Sequence, residues 1–292
     1  MTVSKDFICV IAVLVLEGLL GLGLLYRSSV LKSRLSWIVS VLLLALALGL
    51  RALLFDYETL DYLNFLSRWV EFFREHGGFP ALRYSIGNYN IPYLYFLALF
   101  SLLPVDDLYL IKLLSTLSDV LLAWSVLLLC SRFTKSRICL LAAFFTTLFL
   151  PTVFLNSAVW GQCDSLYVAP LLLGIWCALS GRPVTSMILA AVAFGFKLQA
   201  VFILPIYAVF LMCGKLNWKH IFIFPATYLV LVLPAVCLGR PLWETVTLYF
   251  GQTGSIGSGL NYNSPSVSRF SPTSGTRRPR QPLPSFSPLS IC

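Results

Sequence analysis

Long apolar segments, separated by short polar ones, recur through the first 240 residues of this chain. About 20 apolar residues in a row are enough for a helix to cross the hydrocarbon core of a bilayer. Inside lipid every backbone group must find its partner within the protein, and uninterrupted apolar stretches are typical of helices. Charged residues make up only 11% of the chain, against about a quarter in soluble domains. The sequence therefore predicts an all-α integral membrane protein with many spans.

Short basic loops set the predicted orientation of these segments. We predict eight spans, near residues 7–25, 36–55, 108–130, 138–157, 166–180, 184–197, 198–213 and 221–239. Lysines and arginines gather in the loops near residues 27–34, 132–137, 182 and 215–219. Loops rich in Lys and Arg stay in the cytoplasm when a membrane protein inserts. All four loops are therefore expected on the cytoplasmic side.

The segment IPYLYFLALFSLLP (91–104) does not fit this scheme as a further span. It is shorter than a helix that crosses the bilayer, and a crossing there would put the next basic loop outside. We therefore predict an interfacial helix lying on the outer face. The extracytoplasmic segments are then residues 56–107, 158–165, the irregular junction at 197–199 and the chain after residue 240.

The net charge of +9 does not indicate a nucleic-acid partner, because Lys and Arg lie in short loops and near the C-terminus instead of forming a binding stripe. No phosphate-binding loop of the Walker type is present. Eight cysteines stand singly, without a CxxC pair, and His76 and His220 are isolated. Metal centres need several such ligands at close spacing. The sequence predicts neither a disulfide framework nor a metal site.

Three acidic residues, Asp56, Glu58 and Asp61, follow the second predicted span directly. An apolar and aromatic pattern with helical spacing comes next, through Phe65, Trp69, Phe72 and Phe73. A carboxylate held at headgroup depth by such a helix can act as a base on a substrate that arrives from water. Acids that only mark the outer end of the span are an equally open explanation.

Two further polar features interrupt the apolar segments. The stretch NSAVWGQCDS (156–165) separates two spans, and Lys197 stands between two apolar halves with Gln199 close by. A lysine at membrane depth is costly and usually faces a partner or a cavity, which suits a phosphate of a lipid-linked substrate. Snorkelling of Lys197 to the nearer interface is the alternative.

Lys112 and Asp119 are seven residues apart and share one face of a predicted span. Two helical turns are too far for them to pair with each other, so each should find a partner on a neighbouring helix or in a polar cavity. Structural pairing is at least as plausible as catalysis for both. Arg51, near the end of the second span, is expected to snorkel to the outer interface.

Six segments stand in a characteristic order: DYLNFLSRW (61–69), GGFPAL (77–82), GNYNIPYLYFLALFSLLP (87–104), IKLLSTLSD (111–119), NSAVWGQCDSLY (156–167) and KLQAVFILP (197–205). In this order the chain resembles bacterial membrane glycosyltransferases related to the second mannosyltransferase of GPI-anchor synthesis. Those enzymes have the GT-C fold, a multi-span helical bundle with interfacial helices on its outer face. The resemblance covers roughly residues 50–265.

The resemblance implies transfer of a hexose, mannose-like, from a polyprenyl-phosphate donor to a glycan, lipid or protein acceptor, with inversion. The reaction would take place on the extracytoplasmic face of a bacterial plasma membrane, with membrane lipid and the lipid-linked sugar as partners. No resident cofactor is certain. Acidic residues near a phosphate could recruit a divalent metal, although no ligand spacing demands one.

The resemblance also assigns roles to particular residues. Asp61 matches the catalytic aspartate of the first outer loop and would be the general base. Asp56 is the second candidate for that role. The four residues expected to bind sugar hydroxyls or order the site are Asn156, Trp160, Gln162 and Asp164. Lys197 and Gln199 match a KxQ element and would neutralise the departing phosphate.

The composition changes after residue 265. Residues 1–265 form the predicted membrane domain, whereas residues 266–292 are rich in Ser, Pro and Arg and are expected to be a disordered, aberrant tail. An inactive truncated glycosyltransferase is therefore one alternative to an active enzyme. A transporter or flippase of a polar or lipid-linked substrate is another, because intramembrane Lys and Asp residues and a broken helix also fit a transport path.

Overall fold

The regular structure of this protein is helical. The computed structural model describes residues 5–87 and 89–255, and no strand occurs within them. The α-helices, numbered α1 to α12 in chain order, are Lys5–Arg27, Arg34–Ala52, Ser67–Glu75, Ile91–Phe100, Asp107–Cys130, Arg137–Phe149, Pro151–Ala158, Asp164–Leu179, Pro183–Phe196, Leu204–Met212, Ile223–Cys237 and Leu242–Ser255. A π-helical turn, Tyr62–Leu66, leads into α3. The predicted all-α class is confirmed.

Several of these helices are membrane spans by length and composition. In the described part of the chain, four helices are long and apolar enough to cross: Asp6–Arg27, Arg34–Ala52, Asp107–Cys130 and Trp218–Cys237. A fifth span is obtained if α6 and α7, which are bent by 46°, are counted together. The outer surfaces of α1 and α2 carry large exposed apolar side chains, as lipid contact requires. The protein is thus a multi-span membrane protein; α8, α9 and residues 198–212 are shorter, and their crossing stays a prediction.

Two breaks in the helices have identifiable causes. Leu150, between α6 and α7, is extended (φ −60°, ψ 125°) because Pro151 disfavours a helical conformation for the residue before it. Lys197 is also extended (φ −151°, ψ 134°) and is followed by a 3-10 turn, Leu198–Ile203, before α10. The irregular junction predicted at 197–199 is confirmed.

α5 is the central helix of the bundle and packs against α1, α6, α7 and α8. Near its first turns the Lys112 ammonium reaches the loop that follows α2. Near its end the Trp124 indole donates to Ser28 Oγ, and just beyond it Arg132 donates to the Leu179 carbonyl. The acidic loop and the basic loops, which the charge pattern assigns to opposite sides of the membrane, therefore lie at opposite ends of α5.

The helix α4 differs from its predicted setting. Its ten residues confirm that this segment is too short to cross a bilayer as a helix. Its side chains are buried on nearly all sides, and Ile91, Leu94 and Leu97 are fully covered. α4 packs against α3, α5, α9 and α11 instead of presenting an apolar face to lipid. The reason is that its sequence is apolar all round, which suits a helix enclosed by protein.

The compact unit that carries these features comprises Met1–Gly251, and Gln252–Cys292 form a second unit. Of the second unit the structure describes only the end of α12. The boundary predicted after residue 265 and the predicted tail 266–292 both lie outside the described residues.

Candidate functional site

The loop that carries Asp61 is fixed on both of its flanks. Before it, the Lys112 ammonium donates to the carbonyls of Leu54 (3.0 Å), Phe55 (2.8 Å) and Tyr57 (2.6 Å). After it, the Tyr62 hydroxyl donates to the Asp107 carboxylate over 3.0 Å, at the beginning of α5. The Asp61 carboxylate itself is exposed. The loop therefore presents the Asp61 carboxylate to solvent from a constrained backbone, as it does those of Asp56 and Glu58.

Gln162 connects Asp61 to the polar turn between α7 and α8. Its Nε2 donates to Asp61 Oδ2 over 2.5 Å, and its Oε1 accepts from the Tyr89 hydroxyl over 3.1 Å. Burial raises the pKa of Tyr89 above its ordinary value, so the hydroxyl remains a donor. These two bonds fix the orientation of the Gln162 amide and hold it against the carboxylate.

A second polar group lies beside this turn and is formed by Asn156 near the end of α7, Asp164 at the start of α8 and Lys197 after α9. The Asn156 amide donates to Asp164 Oδ2 over 3.1 Å, and the Lys197 ammonium forms a short ion pair with Asp164 Oδ1. Both charged side chains keep some exposure, and Lys197 lies 5.8 Å from the centre of the Tyr167 ring. Lys197 therefore has an acidic partner within the protein, as the first of the two explanations requires. A cation in this setting can also contact an anionic ligand.

Trp160 separates two cavities at this end of the bundle. A cleft of about 720 Å³ is lined by Asp61, Glu58, Gln162 and Trp160, together with their neighbours in the two loops. A cavity of about 580 Å³ on the other side of Trp160 is lined by Asn156 and Asp164 among others. The indole is 52% exposed. An exposed aromatic ring between two openings can stack on a ligand that enters either one.

A buried network lies beneath the turn and involves Asp119 of α5. Arg51 donates to Asp119 Oδ2 from Nε (3.0 Å) and Nη2 (2.9 Å), and both side chains are fully buried. Ser157 donates to Oδ2 over 2.5 Å and Ser165 to Oδ1 over 2.6 Å. The prediction of a partner on a neighbouring helix is confirmed for Asp119, which pairs with Arg51 of α2, whereas Lys112 is satisfied by carbonyls of the loop after α2. The prediction that Arg51 snorkels is wrong, because its charge is satisfied inside the bundle by Asp119.

Two of the sequence-predicted residues stand apart from this group. Asp56 accepts from the Tyr109 hydroxyl over 2.8 Å and does not line the cleft that contains Asp61. Gln199 is exposed in the 3-10 turn after Lys197, without a hydrogen bond to the described part of the chain. Within residues 5–87 and 89–255, no group of three or more His, Cys, Asp or Glu side chains is arranged to hold a metal ion.

Sequence reasoning missed Tyr89, Ser157 and Ser165 as parts of this site. Tyr89 belongs to GNYN and the two serines flank the polar turn, so the signal was polar side chains at the edges of apolar segments. The partner of each one lies far along the chain, and no local pattern identifies it. The hydroxyls of all three complete bonds to Asp119 or Gln162.

Comparison with known proteins gives one match. The model of glycosyltransferase family 87 matches residues 88–274. This region includes the polar turn and Lys197 and begins after Asp61. No curated protein and no solved structure matches the chain.

Proposed function

This chain belongs to glycosyltransferase family 87, and on that premise we propose that it moves a hexose, mannose-like, from a polyprenyl-phosphate donor to an acceptor hydroxyl. The acceptor is a glycan, lipid or protein on the extracytoplasmic side of a bacterial plasma membrane. The proposed architecture is of the GT-C type. Membership of the family supports glycosyl transfer by a membrane protein, and the donor, the sugar, the acceptor and the side are the proposal.

The observation that carries the proposal is the direct link between Asp61 and the polar turn. An exposed carboxylate in an open cleft is bonded through Gln162 to a segment that two residues later pairs with a cation, Lys197. A transfer with inversion needs a base on one side of the sugar carbon and charge stabilisation for a leaving phosphate on the other. In the proposal Asp61 meets the first requirement and Lys197 the second.

In the proposed reaction the Asp61 carboxylate accepts the proton of the acceptor hydroxyl. The freed oxygen forms a bond to the anomeric carbon as the bond from that carbon to the phosphate oxygen breaks. The electron pair leaves with polyprenyl phosphate, whose new charge Lys197 stabilises. The products are a glycoside of inverted configuration and the polyprenyl phosphate.

The remaining site residues take supporting roles in this proposal. Asn156, Gln162 and Asp164 bind sugar hydroxyls or order the site, and Trp160 stacks on the sugar. Gln199 lies two residues from Lys197 and contacts the donor phosphate from its exposed position. Asp56 remains the reserve base; its bond to Tyr109 and its absence from the cleft favour Asp61.

A divalent cation is an open part of the proposal. Glu58 and Asp61 line the same cleft, and two carboxylates would need donor phosphate oxygens as further ligands to complete a magnesium or manganese site. Transfer measured with EDTA and with added Mg²⁺ or Mn²⁺ tests this requirement.

The experiment is sugar transfer by the full chain, purified in detergent, with a panel of radiolabelled polyprenyl-phosphate hexoses and with membrane lipid extract as acceptor. We expect label from one donor to move to an acceptor product. Asp61→Asn should lower turnover by at least about a hundredfold, as loss of a general base does, while the protein stays folded. Asp56→Asn compares the reserve base directly, and it should retain most of the turnover if Asp61 is the base.

Two outcomes would count against the proposal. Wild-type turnover in Asp61→Asn would remove the assigned base. Donor flipping in proteoliposomes, without any glycosylated product, would favour the transporter, for which the broken helix at Lys197 is the supporting observation.

A further inference from the structure

We propose that α5 aligns the two halves of the site through two positioning residues, Lys112 and Asp119. This inference rests on the proposed function, because it takes Asp61 and the polar turn as the parts to be aligned. Neither residue lines the cleft of Asp61, and both are buried. They act through the backbone and side chains that they hold.

Lys112 holds the half of the site that carries Asp61. Its side chain is buried, and its ammonium has three hydrogens, each of which is used by one carbonyl of residues 54, 55 and 57. The last of these carbonyls lies four residues before Asp61. A buried cation satisfied only by carbonyls of one loop fixes the course of that loop relative to α5.

Asp119 holds both ends of the polar turn. Its two oxygens accept from Ser157 and Ser165, and each serine directly follows a site residue, Asn156 or Asp164. The turn between the serines carries Trp160 and Gln162. One carboxylate on α5 therefore fixes the beginning and the end of the segment that contacts Asp61 and Lys197.

The middle of the turn also lies against α5. Gly161 has a positive φ of 61°, and a Cβ at this position would lie 3.2 Å from Ile111 Cγ2 and 3.7 Å from Lys112 Cγ. The turn thus lies along the stretch of α5 from Lys112 to Asp119, which are seven residues apart and so about 10 Å apart along the helix. The two positioning residues bracket the contact surface between the turn and α5.

Arg51 connects the two anchors. It donates to Asp119 and to the Leu148 carbonyl at the end of α6, and it stands on α2 just before the loop held by Lys112. A buried ion pair is by itself weak evidence of stability, because desolvation offsets its Coulomb attraction. This network is distinguished by the segments that it holds. Ser157 and Ser165 flank the polar turn, and the loop carbonyls bound by Lys112 precede Asp61.

The first test is the double variant Ser157→Ala/Ser165→Ala, which removes only the two hydroxyls that hold the turn. Its matched control is Ser118→Ala, whose buried hydroxyl bonds only to the Leu114 carbonyl of its own helix. We expect the double variant to lose about tenfold to a hundredfold in kcat per folded molecule, as small misplacements do, with the donor KM changed by less than about twofold. Ser118→Ala should keep both values.

Further variants alter the two anchors, Lys112 and Asp119, themselves and are chosen so that the protein still folds. Lys112→Met keeps the length of the side chain and removes its three bonds, while Arg51→Met/Asp119→Leu removes the buried charges together, a change that often preserves stability. Both should show the same fall in kcat per folded molecule. Unchanged kcat in folded variants of both anchors would overturn the inference.

A readout without activity separates this inference from the proposed function. Cys163 lies in the turn and is buried, so its rate of modification by a maleimide, resolved by peptide mass, reports release of the turn. We expect the serine double variant to raise this rate at least about tenfold at an unchanged unfolding midpoint. An unchanged rate of Cys163 modification in the double variant would overturn the inference that Asp119 anchors the turn. If that rate rises but the wild-type protein transfers sugar from none of the donors, only the proposed function is removed.

Discussion

At the residue scale, the contact between Gln162 and Asp61 makes a specific prediction. Gln162→Ala removes the amide that holds the carboxylate, so Asp61, the proposed base, should sample unproductive orientations. We expect kcat to fall by about tenfold to a hundredfold with little change in donor KM. Tyr89→Phe removes only the second bond of the amide and should have a smaller effect. Equal losses in the two variants would contradict a direct role of the amide at Asp61.

The ion pair of Lys197 and Asp164 leads to a second prediction at the residue scale. Lys197→Met removes the proposed phosphate partner and also breaks the ion pair with the partly exposed Asp164, so it should raise the donor KM and lower stability modestly. Lys197→Met/Asp164→Asn should recover stability without recovering donor affinity, because the cation is still missing. Steady-state kinetics and thermal unfolding of the three proteins measure the two effects separately. Recovery of donor affinity in the double variant would make the lysine purely structural.

Single residues also show what the sequence could and could not predict. The need of Lys112 and Asp119 for partners followed from the cost of a charge at membrane depth. The identity of the partners could not be predicted, because Arg51 and Asp119 are 68 residues apart and no local pattern at either residue indicates the pair. The snorkelling prediction for Arg51 used only distance to the interface, and a buried carboxylate satisfied the guanidinium instead.

At the element scale, the turn between α7 and α8 depends on close approach to α5 at Gly161. Gly161→Ala and Gly181→Ala both place a Cβ at positive φ, which costs roughly 1–2 kcal/mol. Only Gly161 has neighbours for that Cβ, since Gly181 has nothing within 4 Å. We expect both variants to lose stability by thermal unfolding, Gly161→Ala the more because its Cβ meets Ile111 Cγ2 at 3.2 Å, and kcat to fall in Gly161→Ala alone. Equal kcat in the two variants would show that the turn tolerates displacement from α5.

The elements themselves were predictable where hydrophobic length decides, as for α1, α2, α5 and α11. The break at Lys197 was predictable because a charged residue divides an apolar segment. The surroundings of α4 were not predictable, since a fully apolar helix of ten residues is compatible with lipid or with a protein interior. Only the helices packed around α4 determine which of the two it meets. The bend at Pro151 depends on local backbone sterics that hydropathy does not register.

At the scale of the whole molecule, the remaining prediction is the orientation in the membrane. The acidic loop and the basic loops lie at opposite ends of α5, and the positive-inside rule assigns the basic end to the cytoplasm. Exposed cysteines report on both ends: Cys139 and Cys213 adjoin basic loops, and Cys237 ends α11 near the opposite end.

A membrane-impermeant maleimide applied to intact cells should therefore modify Cys237 and spare Cys139 and Cys213, as resolved by peptide mass. Permeabilised cells are the control, in which all three should react. Modification of Cys139 and Cys213 in intact cells would invert the topology and place Asp61 in the cytoplasm. The donor would then have to be available on the cytoplasmic face, and nucleotide sugars would enter the donor panel as competing candidates. The direction of insertion thus decides which donors this site can meet, independently of how its residues are arranged.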